Sequence, residues 1–108
     1  MSPLRERNIE RRLVERVKEL GGEIRKVKWQ GRGGAPDRVV MLPERGGGHV
    51  QYIPEKTIWV ELKAPGKAGT FPANAHERKQ AREHRRMRAM GQRVEVVDSF
   101  EHIEEILA

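Results

Sequence analysis

The chain contains no cysteine, which excludes disulfide bonds and metal sites built on thiolate ligands. Aromatic residues account for only 5% of its 108 residues and hydrophobic residues for 36%, so the hydrophobic core has to be small. No apolar run approaches the roughly 20 residues that a membrane-spanning helix needs, and no signal-peptide pattern opens the sequence. These absences favour a single domain, residues 1–108, in a soluble cytoplasmic protein.

Positive charge is abundant. Lys and Arg together number 22 against 16 Asp and Glu, which gives a formal net charge of +6 at pH 7. Such an excess raises the concentration of a polyanion near the surface and gives an affinity that falls with added salt. The charge therefore favours a nucleic-acid partner. A basic surface that serves only solubility is the alternative.

Apolar residues recur at helical spacing in three segments. The first helix is expected to begin at Ser2-Pro3, a capping hydroxyl followed by proline, and to end at Gly21-Gly22. The residues that define its apolar face are Ile9, Leu13, Val14, Val17 and Leu20. The second helix is predicted over residues 76–90, and a third follows a Ser99 cap and runs to Leu107.

Strand-like runs fill the space between the helices. The predicted strands cover residues 23–29, 36–42, 50–53, 57–64 and 93–97. Residues 43–48, with three consecutive glycines, are expected to form a loose turn, and residues 65–74 an irregular segment. The order α-β-β-(β)-β-α-β-α indicates an α/β or α+β domain, with a mixed sheet and helices packed against it.

Two neighbouring strands carry the residues that suggest chemistry. Asp37 follows a proline on one strand, and Glu61 and Lys63 alternate on the next. Two close carboxylates repel each other unless positive charge lies between them, and a divalent cation with oxygen ligands is the usual solution. Such a cation beside a lysine, in a basic chain, points to phosphodiester hydrolysis. For the Glu61–Lys63 pair taken alone, a structural salt bridge is the alternative.

The first helix places carboxylates on its apolar face. Glu6 falls near the centre of that face and Glu10 also lies on it, whereas Glu15 and Glu19 lie on the solvent side. An amphipathic helix normally keeps carboxylates off its apolar stripe. Glu6 and Glu10 therefore either point into a site or reach water from a fraying helix end. The pattern leaves open which of the two is the site carboxylate.

The second helix has a less basic side that carries Gln80, whose neutral amide can hold a water, a backbone group or a phosphate oxygen. A partly exposed glutamine explains the pattern equally well. The arginines on its other faces either contact phosphates or form a solvated surface. His76 and His84 do not have the spacing of a zinc pair and are interpreted as partly buried or surface residues. The glycine-rich loop at residues 31–35 does not match a P-loop, but it lets a phosphate backbone approach.

Four sequence elements, taken in order, resemble the VRR-NUC nucleases of the PD-(D/E)XK superfamily, in their short stand-alone viral and bacterial form. They are Gly-Ala-Pro-Asp-Arg-Val-Val at residues 34–40, Trp-Val-Glu-Leu-Lys-Ala-Pro-Gly-Lys at residues 59–67, Gln80 on its helix, and Glu-Arg-Asn-Ile at residues 6–9. The last is similar to the first-helix acidic motif of archaeal Holliday junction resolvases. Residues 43–56 are longer than the family's usual hairpin, and residues 69–77 lack its typical Pro-Leu-Gln before the helix.

The resemblance implies a restriction-endonuclease-like α/β core, with a mixed central sheet flanked by helices. It implies that Asp37 and Glu61 bind Mg²⁺ or Mn²⁺ and that Glu6 completes or tunes the metal site. Lys63 would orient or activate the attacking water, and Gln80 would position water, metal or backbone. These five residues form the expected catalytic set.

The resemblance also implies a homodimer that cleaves branched DNA, such as four-way junctions, in a bacterial or phage-infected cell. The candidate DNA contacts are Arg32, Lys67, Arg82 and Arg85. Two alternatives stay open. One is a non-catalytic module that binds nucleic acid, and the other is a nuclease or nickase with a different target.

Overall fold

The computed structural model describes residues 4–108, so the predicted helix start at Ser2-Pro3 lies outside the described residues. The elements, in chain order, are α1 (Glu6–Glu19), β1 (Glu23–Lys26), β2 (Arg38–Leu42), β3 (Arg45–Gly47), β4 (Val50–Ile53), β5 (Lys56–Leu62), α2 (Ala75–Ala89), β6 (Val94–Val97) and α3 (Phe100–Leu107). This is the predicted order with one added strand, β3. Between residues 4 and 108, none of the helices has the length and apolar character needed to cross a membrane.

The main sheet has the strand order β1-β2-β5-β6. The β1–β2 and β2–β5 pairs are antiparallel, whereas β5 and β6 run parallel. A parallel pair needs a long crossover connection, and α2 lies in that connection. The predicted α/β class, with a mixed sheet flanked by helices, is therefore confirmed.

The two faces of β5 have different surroundings because side chains alternate along a strand. Ile58, Val60 and Leu62 are buried in the hydrophobic core, which α1 and α3 cover. Glu61 and Lys63 point to the opposite face, where they contact side chains of α2. One face of the sheet thus stabilises the fold, and the other carries polar groups.

The apolar stripe of α1 is narrower than predicted. Ile9, Leu13 and Val17 are buried, as their spacing of four residues requires. Val14 was expected on the same face but is 40% exposed, because it lies about 100° around the helix from Leu13. Gly21, with φ of 78°, ends the helix in the left-handed conformation that glycine favours.

The predicted strands were too long where they approach the loops. β1 ends at Lys26 rather than at residue 29, and β2 begins at Arg38 rather than at residue 36. Pro36 has no backbone N–H, so it cannot donate to the sheet. One backbone bond still extends the β1–β2 pairing, because the Val27 N–H donates to the Asp37 carbonyl at 2.8 Å. β5 likewise ends at Leu62, two residues before the predicted end.

The segment predicted as a loose turn contains a strand. β3 pairs with β4 in a separate two-stranded sheet. Gly46 makes this pairing possible, because a Cβ at that position would overlap the backbone carbonyl of Gln51. Glycine therefore serves here for close strand approach, whereas the sequence pattern suggested only flexibility.

Replacing Ile58 by alanine tests the core on the helix-covered face of β5. Ile58 is fully buried on a central strand, so the cavity left behind should cost about 2–5 kcal/mol of unfolding free energy. Urea unfolding followed by circular dichroism measures the loss. Val50→Ala, at a position that is 67% exposed on the separate hairpin, is the matched control and should stay within about 0.5 kcal/mol of the parent. Equal losses in both variants would contradict this description of the core.

Candidate active site

The register of β2 and β5 brings two of the predicted site carboxylates together. Arg38 pairs with Val60, so one further step along the same register sets Asp37 opposite Glu61. Residues directly opposite each other on antiparallel strands project to the same face. The Asp37 side chain is 60% exposed, whereas Glu61 is buried. One carboxylate is therefore accessible from solvent, and the other is held inside the protein.

Glu61 lies against a buried histidine. Its Oε1 is 3.7 Å from Nε2 of His84, beyond hydrogen-bond distance, and no lysine or arginine within residues 4–108 forms an ion pair with this carboxylate. His84 is fully buried, and neither of its ring nitrogens has a hydrogen-bond partner among the described residues. A buried carboxylate that lacks a hydrogen-bonded partner is costly. Positive charge next to Glu61 would therefore stabilise the buried carboxylate.

Lys63 is fixed by three contacts on the same face. Its Nζ donates a hydrogen bond to Gln80 Oε1 at 2.9 Å and pairs with Glu77 Oε2 at 3.1 Å. The ammonium also lies 5.2 Å from the centre of the Phe71 ring. The same ring stacks against His84, with ring centres 5.7 Å apart. The structure thus joins Lys63 and Gln80, two predicted site residues that lie in different elements.

Glu77 is a site residue that the sequence analysis missed. Its Oε1 accepts a hydrogen bond from the Ala73 N–H at 2.8 Å, while its other oxygen holds Lys63. The Ala73 N–H and the Lys63 ammonium lower the pKa of Glu77. Glu77 precedes Gln80 by three residues and so lies on the same side of α2. This spacing is the feature of the sequence from which Glu77 could have been predicted as a site residue.

Glu6 and Glu10 have different surroundings in the structure. Glu10 pairs with Arg38 at 3.0 Å, and the same guanidinium contacts Asp37 at 3.0 Å. Glu6 makes no ion pair within the described part of the chain, and it lines a cavity of about 400 Å³ together with Lys63. Of the two candidates left open by the sequence, Glu6 is the one that faces the other site residues.

Several charged side chains lie close enough to Glu6 to change its pKa. Partial loss of hydration where the side chain lines the cavity is the largest effect and raises the pKa of Glu6, and the Lys63 ammonium opposes that rise. The carboxylates of Glu61, Asp37 and Glu10 raise the pKa of Glu6 further. Three other carboxylates and the Lys63 ammonium therefore lie close enough to act on Glu6.

The donor chemistry fits a hard divalent cation, because Asp37 and Glu61 offer carboxylate oxygens on the paired central strands and Glu6 offers them from the start of α1. As the side chains stand, no three Asp, Glu or His residues between positions 4 and 108 form a metal-binding group. The Asp37 carboxylate is turned onto Arg38, and Glu6 is exposed. Glu61, Asp37 and Glu6 are the residues whose oxygens could hold such a cation.

The candidate DNA contacts fall into separate places. Lys67 lines the cavity that contains Glu6 and Lys63. Arg32 and Arg82 line a second cavity, between the glycine-rich loop and α2. Arg85 lies farther around α2, beside Arg82 and Arg78. Of the four candidate contacts, the structure therefore places Lys67 at the candidate active site, Arg32 in the loop beside α2, and Arg82 and Arg85 on α2.

No protein-family model matches the chain, but comparison with known proteins and solved structures finds similar chains. A protein of Acyrthosiphon pisum secondary endosymbiont phage 1, described as "Putative nuclease p44", is 41% identical over 99 residues, which span 92% of this chain and 88% of the phage protein. A solved structure described as "VRR_NUC domain" is similar with a TM-score of 0.66 and 32% identity. The similarity covers 94% of this chain and 92% of that one.

The lowered pKa of Glu77 predicts a stability difference that depends on pH. A carboxyl group whose pKa is lowered in the folded state stabilises the fold above its unfolded pKa, near 4.5, and loses this effect as pH falls through the folded value. Glu77→Gln should therefore lower the thermal unfolding midpoint at pH 7, and the difference from the parent protein should shrink as pH falls below 4.5. Calorimetry from pH 7 to pH 3 measures this, with the exposed Glu55→Gln as control. A difference that does not change with pH would refute the pairing.

Proposed function

The chain belongs to the VRR-NUC nucleases, and on this premise we propose that it is a metal-dependent DNA endonuclease, selective for branched DNA. One observation carries the catalytic part of the proposal. Asp37 and Glu61 face each other across two strands, and Lys63 follows on the same face of β5. This is a constellation of two carboxylates and a cation, and the cation, Lys63, lines an open cavity together with Glu6.

Asp37 and Glu61, with Glu6 in support, would hold Mg²⁺ or Mn²⁺. Such an ion polarises a phosphoryl oxygen and lowers the pKa of bound water. The buried Glu61 lacks a hydrogen-bonded partner among residues 4–108, which supports its role as the central ligand. The exposed Asp37 is accessible for exchange between Arg38 and a cation.

Lys63 supplies positive charge where negative charge develops on the phosphate, and it orients the attacking water. Gln80 and Glu77 hold its ammonium in place at 2.9 and 3.1 Å, so little reorganisation is needed when the substrate binds. Because Gln80 accepts the hydrogen bond from Lys63 through its oxygen, its amide N–H₂ group is left to donate to a water or a phosphate oxygen.

The choice of DNA substrate is supported by charge and by a sequence similarity. The net charge of +6 favours a polyanion, and the Glu-Arg-Asn-Ile sequence at residues 6–9 is similar to a motif of Holliday junction resolvases. A two-fold symmetric homodimer would present two copies of the site, which suits the paired strands of a four-way junction. The similarity to a phage protein supports activity in the cytoplasm of a bacterial cell.

Asp37→Asn and Glu61→Gln each test the catalytic proposal. Both variants keep the side-chain shape and remove the charge that a cation requires. DNA cleavage in Mg²⁺ or Mn²⁺ should fall on the order of 100-fold or more, the scale found when one preorganised contact to a reacting centre is lost. Rates are measured on labelled DNA by gel electrophoresis.

The exposed Glu101→Gln is the matched control and should cleave at the parent rate. Glu6→Gln should slow cleavage, whereas Glu10→Gln should act mainly on stability, because Glu10 pairs with Arg38. Near-parental cleavage by the Asp37 or Glu61 variant would refute the assigned site. Absence of metal-dependent cleavage by the parent protein would leave the rival function, a module that only binds nucleic acid.

The dimer and its substrate preference form a separate prediction. Light scattering at micromolar concentration should give twice the 12.4 kDa mass of one chain. Four-way-junction DNA should be cut faster than linear duplex of the same length, because a dimer can engage two strands in one encounter. A monomeric mass together with equal rates on both substrates would exclude junction selectivity and leave a general nuclease.

A further inference from the structure

A second cavity lies beside α2, and it is larger than the one at the candidate active site. Its volume is about 490 Å³, and its walls are the glycine-rich loop on one side and α2 on the other. The helix contributes Lys79, Arg82, Glu83 and Arg86, and the loop contributes Arg32 between two glycines. Four cations and a single carboxylate therefore surround one space.

The cations converge for a geometric reason. Lys79, Arg82 and Arg86 are spaced at i, i+3 and i+7, which aligns them on one face of the helix. The loop opposite them has little bulk, because Gly31 and Gly33 carry no side chains. At Gly33 the approach is close enough that a Cβ would lie 2.7 Å from Lys79 Nζ. The cavity is thus open to an anion and lined by donors.

The single carboxylate has an informative partner. Glu83 Oε2 accepts a hydrogen bond from Arg32 Nε at 2.8 Å. The Glu83 side chain is 11% exposed, whereas that of Arg32 is 50% exposed. The two Nη groups of Arg32 make no hydrogen bond to the described residues. Glu83 therefore binds the guanidinium through its Nε–H, and the two Nη groups remain available as donors.

We propose that this cavity binds a backbone phosphate of the DNA substrate, with Arg32, aimed by the buried Glu83, as its principal donor. The inference rests on the proposed DNA endonuclease function and adds a second contact on the same strand, away from the reacting phosphate. A guanidinium has five donors in a planar fork, so it can serve Glu83 and a phosphate at once. Lys79, Arg82 and Arg86 supply further positive charge around the anion.

The cavity is structurally connected to the candidate active site. Lys79 immediately precedes Gln80, which holds Lys63. Gly34 packs directly on the helix backbone at this point, since a Cβ there would lie 2.9 Å from the Lys79 carbonyl oxygen. A phosphate held in the cavity would therefore set the position of the strand relative to Lys63.

The proposed role of Glu83 can be tested, because it predicts a change in DNA affinity opposite to the change expected from net charge. Removing a negative charge next to a phosphate site should strengthen DNA binding if only net charge matters. If Glu83 aims Arg32, the Glu83→Gln variant should bind DNA about tenfold more weakly, because a charge-assisted contact is lost. Arg32→Lys keeps the positive charge, but an ammonium lacks the planar fork that lets a guanidinium bind Glu83 and a phosphate at once. This variant should therefore also bind DNA several-fold more weakly.

The experiment measures fluorescence anisotropy of labelled duplex DNA in Ca²⁺, over a series of salt concentrations. Arg32→Gln should weaken binding and lower the slope of log K against log salt by about 0.9, the value for one duplex phosphate. The Arg32→Gln/Glu83→Gln double variant should bind no more weakly than Arg32→Gln alone, because Glu83 acts through Arg32. Lys18→Gln, on α1 across the sheet, and Glu101→Gln are the charge-matched controls.

Unchanged or tighter binding by a folded Glu83→Gln variant would overturn the inference. If that variant does not fold, Arg32→Lys decides, since Arg32 is half exposed. Parental affinity in Arg32→Lys would also overturn the proposal. Cleavage by the parent protein is scored separately, so a protein that binds through Arg32 but never cuts would refute the endonuclease function alone.

Discussion

The pairing of β2 with β5 is the constraint on which the rest of the structure depends. Its register is fixed by buried side chains on one face, among them Val40, Ile58 and Val60. Because side chains alternate along a strand, a slip by one residue would send Asp37 or Glu61 into the apolar core. The hydrophobic packing against α1 and α3 therefore also sets the distance between the carboxylates on the opposite face.

α2 shows how one helix serves two sites. Its buried residues include Gln80, Glu83 and His84, all polar, so its packing against the sheet is unlike that of an apolar helix. Glu77 and Gln80 reach Lys63, while Glu83 reaches Arg32. The exposed arginines between these positions carry much of the basic charge. The polar contacts of the helix thus also position cationic groups.

Much of the fold could be predicted from the sequence, because its signals are local. The periodicity of α1, the apolar run of β5, the Ser99 cap and the side of α2 that carries Gln80 all depend on near neighbours. The contacts of the site could not be predicted in the same way. Glu77 with Lys63, Glu83 with Arg32, and His84 with Glu61 join residues from different elements. Such pairs follow from how the elements pack, and a residue type alone does not reveal them.

The close approach at Gly34 has a mechanical consequence. Its backbone has φ of 89° and rests on the carbonyl of Lys79, with no room for a side chain between loop and helix. The loop cannot move inward without pushing α2, and α2 cannot tilt toward the loop without pushing the segment that leads to Asp37. The loop that leads to Asp37 and the helix that carries Gln80 therefore meet at one point of close contact. A displacement of the loop toward α2 would reach both parts of the site.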